Sequence, residues 1–162
     1  MQGKNCASPE TVSRHFRTTM CMAIYISTDR SLPTIPYDEG NRKLNTEDIT
    51  DNEKTLKNLF SKPNIKYVGS DQGCSCGFRH AIIHNDSWLD VVDDETPFDN
   101  SNHVNLVDLI KKNTTDGKTV EILACWEGDQ NEPILHQQTI KLSDILDKDF
   151  HFKERGLYFV QT

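Results

Sequence analysis

Thr119-Val120-Glu121-Ile122-Leu123-Ala124-Cys125-Trp126 decides how this chain is read. Val120, Ile122, Ala124 and Trp126 fall on one side, and Glu121, Leu123 and Cys125 on the other, which is the two-residue period of a β-strand. Glu127-Gly128-Asp129-Gln130-Asn131 then turns the chain. Ile134 to Leu142 reads as a return strand, and Gly156-Leu157-Tyr158-Phe159-Val160 as a further one. Strands linked by turns favour antiparallel pairing, and Ser143-Asp144-Ile145-Leu146 between them reads as a single helical turn.

On the N-terminal side of this strand, Asn102 or Ser101 can cap a helix whose apolar face is Val104, Val107 and Ile110, widened by Leu106 and Leu109. Asp116-Gly117 ends it. Phe78 to Val92 fits two patterns. Phe78, Ile82, Leu89 and Val92 suit a helix, while Phe78, His80, Ile82 and His84 share one face of a strand. Asp86 to Asp99 holds six acids and no base; it lacks the spacing and central glycine of an EF-hand and reads as a solvated acidic stretch ending in a loop. Thr50-Asp51-Asn52-Glu53 has the form of a capping box, followed by Leu56, Leu59 and Phe60 at helical spacing until Pro63 stops the helix. Ile65-Lys66-Tyr67-Val68 is a short strand, Asp38 to Asp48 a polar loop, and Cys21-Met22-Ala23-Ile24-Tyr25-Ile26 a buried central strand. The expected fold class is therefore α+β: a mixed, mostly antiparallel sheet with two or three helices on one face.

The 162 residues fit one domain, near the usual ~100–200 residues, long enough to bury a core without cross-links. Residues 20–162 are expected to form it, with 1–19 a disordered or loosely attached segment and Met20 or Met22 as the start of the folded unit. No apolar run approaches the ~20 residues of a membrane-spanning helix, and Met1 to Thr19 has no long apolar centre of the kind a secretory signal needs. A net charge of −7 argues against nucleic acid and anionic membranes as partners. It suits a solvated surface, or a basic protein partner.

The chemistry is concentrated at Gly73-Cys74-Ser75-Cys76-Gly77. An odd cysteine count (Cys6, Cys21, Cys74, Cys76 and Cys125) points to cytoplasmic, reduced thiols. In that setting a close pair is more often a metal or redox element than a structural bridge. The flanking glycines permit a tight bend, so both sulfurs can reach one ion. His80 and His84 follow, giving Cys-x-Cys-x3-His-x3-His, a sufficient ligand set for zinc. Cys21 and Cys125, on strands that can neighbour the loop, supply an alternative all-cysteine set. The bland reading makes Cys21 and Cys125 small buried hydrophobes and the histidines ordinary polar residues.

Two competing readings use other features. Cys74 and Cys76 can form a dithiol for thiol-disulfide exchange, although redox motifs of the thioredoxin kind space their cysteines by two residues at a helix start. The acidic charge and small size also suit a protein-binding module, such as a neutralising partner of a basic protein. Glycine-rich phosphate loops, nucleophile elbows and His-Glu-x-x-His motifs are all missing from the sequence, so a non-enzymatic role is expected.

Three segments together, Cys21-Met22-Ala23-Ile24-Tyr25-Ile26, Lys66-Tyr67-Val68-Gly69-Ser70 through Gly73-Cys74-Ser75-Cys76-Gly77-Phe78, and Cys125-Trp126-Glu127-Gly128-Asp129, resemble a family of small uncharacterised bacterial proteins. The resemblance covers most of the chain after Met20. It implies no activity, and it marks the glycine-cysteine loop as a defining feature.

Overall fold

The computed structural model describes residues 21–91, 99–115 and 117–162. The expected N-terminal segment 1–19, and much of the acidic stretch after Val91, lie outside them. Among the described residues, two sheets are built from nine strands. The larger has the order β2-β3-β1-β6-β9-β7, from β1 (Met22–Thr28), β2 (Asn45–Asp48), β3 (Asn64–Gly69), β6 (Thr119–Trp126), β7 (His136–Lys141) and β9 (Gly156–Gln161). All its pairs are antiparallel except β7 with β9. The smaller sheet, β5-β4-β8, joins β4 (His80–His84), β5 (Ser87–Val91) and β8 (Phe152–Lys153).

Strand alternation sorts the larger sheet into two faces. Ile24, Ile26, Val68, Val120, Ile122, Ala124, Tyr158 and Val160 enter one core, which is covered by Leu106, Val107 and Ile110 of helix α2 (Ser101–Asn113) and by the smaller sheet's Phe152. Ala23, Tyr25, Ile65, Tyr67, Leu123, Cys125 and Leu157 enter a second core under Leu56 of helix α1 (Leu56–Leu59) and the adjacent Phe60. The two helices thus contribute to different faces of the sheet rather than sharing one. Burying apolar residues at both odd and even positions of β1 leaves two surfaces to be covered.

The mixed, mostly antiparallel sheet and the strand at Thr119–Trp126 agree with the sequence reading. Three elements differ from it. The segment read as Phe78 to Val92 holds a hairpin over His80–Val91, Val92 lying outside the described residues: Asn85 and Asp86 both have positive φ (48° and 61°), the backbone of a two-residue turn that Asn and Asp tolerate best. Asn45–Asp48, read as loop, is an edge strand on β3, and its Asn-Thr-Glu-Asp sequence carries no apolar signal. The return strand does not fold back on β6, because β9 pairs with both and lies between them.

Candidate metal centre

Beyond its centre, β1 parts from β3, and the loop after β3 fills the gap. Ile24 is in register with Val68, and the Ser75 hydroxyl stands between them. It accepts the Ile24 N–H at 2.9 Å and donates to the Val68 carbonyl at 2.7 Å. Two residues along the same strand edge, the Met22 N–H points at Cys76 Sγ at 3.3 Å. A 3-10 turn over Ser75–Gly77 therefore acts as a short neighbour for β1.

The loop is held by its own small residues. Ser70 Oγ donates to the Cys74 carbonyl at 2.6 Å and accepts the N–H groups of Gln72 and Gly77. Gly73 sits at φ +79°, a region that only glycine enters at low cost. The α2 side chain Asn102, expected as a cap, instead braces the loop: it accepts the Asp71 N–H and donates to Asp71 Oδ1 and the Gly77 carbonyl. A Cβ on Gly77 would lie 2.5 Å from Ser70 Oγ and 2.7 Å from Asp71 Oδ1. Gly77→Ala should therefore cost about 1–3 kcal/mol, read as a lower urea midpoint; an unchanged midpoint would mean that the loop can slide aside.

This scaffold brings the ligand atoms of Cys21, Cys74 and Cys76 within 4.8 Å of one another, two of the residues buried and Cys76 half-buried. Cys74 and Cys76 are reduced thiols. Cys21 takes part in a disulfide, so the expectation of uniformly reduced cysteines is not met, and its sulfur can act as a ligand only after reduction. The Cys76 thiol is pushed far up by the adjacent Cys74, then by burial, while the Met22 N–H pulls the other way. Sulfurs this close resist becoming thiolates together without a cation among them. A divalent ion would reverse that balance.

The remaining candidates sit elsewhere. Cys125 lies in the second core on β6, its thiol pushed up to about 12 by burial and by the charges of Asp129 and Glu53. His80 is buried in β4, with Nδ1 3.1 Å from the Phe78 carbonyl and its ring edge-on to Trp126. Burial pushes its pKa down. His84 is half-buried at the far end of β4. None of these three belongs to the cysteine group. The Cys-x-Cys-x3-His-x3-His set is not assembled: among the described residues neither histidine joins Cys74 and Cys76 in the group of close ligand atoms. Of the all-cysteine set, three of the four members come together.

The roles of Ser75 and Asn102 at the loop escaped the sequence reading, since nothing in a lone serine or in an asparagine at a helix start marks a bridge between strands or a brace to a loop. Among the described residues, no helix is long and apolar enough to cross a membrane. Compared with protein-family models, curated proteins and solved structures, the chain matches none.

Proposed function

We propose that this protein binds a thiophilic metal ion, zinc being the expected one, through Cys21, Cys74 and Cys76. The observation that carries this reading is the approach of three sulfur ligand atoms to within 4.8 Å of one another, close enough for small side-chain movements to bring them onto one tetrahedral ion. The Met22 N–H directed at Cys76 Sγ supports it, because such a donor stabilises the ionised sulfur. The ion would tie the start of β1 to the loop after β3, a structural role. A reducing, cytoplasmic setting is the one in which all three sulfurs are available.

The experiment is a zinc titration of protein reduced with a phosphine, which opens the Cys21 disulfide to two thiols as the phosphine becomes its oxide. One equivalent should bind. With free zinc at a hundred times Kd, stability should rise by ~2.7 kcal/mol, or roughly 5–10 °C in Tm for a chain of this length. Cys74→Ser with Cys76→Ser should abolish both effects. Reduced protein that takes up no zinc overturns the reading.

A thiol-exchange function draws on one specific observation, a disulfide-bonded Cys21 beside two thiols. The raised Cys76 pKa opposes it, since the thiolate is the attacking species. Rapid exchange with a small disulfide at neutral pH, in protein that binds no zinc, would favour it.

A further inference from the structure

Two demands meet at one sulfur. Cys21 is disulfide-bonded, yet its ligand atom lies within 4.8 Å of those of Cys74 and Cys76, which are reduced. We propose that the group is a redox-gated metal centre: the Cys21 disulfide and the bound ion exclude one another, so that reduction completes the site and oxidation releases the ion. This rests on the metal reading above and adds its regulation.

The exclusion is chemical. A metal ion takes cysteine as its thiolate, and a sulfur bonded to another sulfur has no such charge to give. With Cys21 oxidised, the group offers two sulfurs in place of three. Zinc sites, structural or catalytic, hold the ion by at least three protein ligands, and the oxidised group falls below that number. Cys125, the remaining described cysteine, is buried in the second core and outside the group, so it does not make up the difference.

The scaffold does not depend on the state of Cys21. The Ser75 hydroxyl joins Ile24 to Val68, Ser70 Oγ holds the Cys74 carbonyl, and Asn102 braces Asp71 and Gly77. None of these bonds uses a sulfur, and all are made while Cys21 is oxidised. Cys74 and Cys76 therefore stand beside Cys21 before its disulfide opens. Reduction completes the ligand set on a loop already in place, and oxidation empties it with the sheet intact.

Reduction is a two-electron exchange with an external dithiol, which becomes a disulfide as the Cys21 bond opens to two thiols. Cys21, Cys74 and Cys76 then lose their three protons to solvent as zinc enters. In the reverse direction a small-molecule disulfide accepts two electrons and becomes two thiols. The Cys21 disulfide re-forms, three protons are taken back from solvent, and zinc leaves. Because reduction and binding share one sulfur, each favours the other by the same factor.

The test equilibrates the full chain in dithiol–disulfide buffers of graded potential, with free zinc fixed by a metal-ion buffer, and reads the Cys21 disulfide by alkylation and mass spectrometry. With free zinc at a hundred times the Kd of the reduced protein, reduction should be favoured about 100-fold, a midpoint potential higher by ~59 mV for a two-electron couple. In Cys74→Ser with Cys76→Ser, which keeps Cys21, zinc should leave the midpoint where it is. A midpoint unmoved by zinc, in wild-type protein that binds zinc when reduced, would overturn the gate while leaving the three-sulfur site standing. A shift that survives in the double variant would place the zinc elsewhere and overturn the gate as well. Reduced wild-type protein that takes up no zinc would overturn the site itself.

Discussion

Ser75→Ala should destabilise the protein by about 2–4 kcal/mol, because it strips the partner from two buried backbone groups at once. The Ser75 hydroxyl accepts the Ile24 N–H and donates to the Val68 carbonyl, and the serine is fully buried. Elsewhere between β1 and β3 these groups meet directly; here the hydroxyl is inserted in the ladder. Alanine is too short to replace it, and closing the gap would require displacing the loop that carries Cys74 and Cys76. For a chain of this length the loss corresponds to a Tm lower by roughly 5–15 °C. The variant should also bind zinc more weakly, since Cys76 is the next residue. Urea melts of wild type and variant check the first statement. A difference under about 0.5 kcal/mol would show that the two backbone groups find other partners.

The second large effect is a loss of stability in mild acid. His103, on the first turn of α2, is completely buried, and among the described residues neither ring nitrogen has a hydrogen-bond partner. Its ring stacks on Phe152 and meets Phe78 edge-on. Burial first, then the charges of Arg79 and His151, hold its pKa down at about 3, with Asp99 opposing. Burial also lowers His80, against the pull of the Phe78 carbonyl. A histidine whose folded pKa is depressed is protonated more readily in the unfolded chain. Its contribution is complete above the unfolded value near 6.5 and is lost as pH falls from there towards the folded value.

Each such histidine adds up to ~1.4 kcal/mol per pH unit inside that window. Stability should therefore be flat from pH 8 to 7 and decline from about pH 6.5, before ordinary carboxylates begin to titrate. His103→Leu keeps the apolar contacts and removes two orphaned polar atoms. It should match or exceed wild-type stability at pH 7 and have a shallower decline between pH 6 and 5. Parallel slopes for the two proteins would show that His103 does not titrate on unfolding.

Much of the sheet was legible because β1 and β6 keep their apolar residues in register with a two-residue period: Ile24 and Ile122 on one face, Tyr25 and Leu123 on the other. The capping Glu53 was legible too, and its carboxylate accepts from the Thr50 N–H and hydroxyl. The hairpin at Asn85-Asp86 was ambiguous because a short apolar segment fits both periods, and only the turn backbone decides. The order of β6, β9 and β7 could not be read, since pairing depends on long-range packing that leaves no local trace. The cysteine pair announced the site, and Cys21 was named among its candidates. The histidines misled because spacing along the chain says nothing about which sheet a strand joins.

The position of β9 has a consequence for how the molecule comes into being. It lies between β6 and β7, yet it follows both in the chain. As the polypeptide leaves the ribosome, β6 and β7 are both complete while the strand that will separate them has not been made. During that interval each presents an open backbone edge, the kind of surface that recruits another chain. The polar β7, with Gln137, Gln138 and Thr139 exposed, offers little apolar surface to a stray partner. Nascent chains halted before Gly156 should be bound by chaperones and sensitive to protease, and should acquire protection abruptly once Gly156–Gln161 is free to insert.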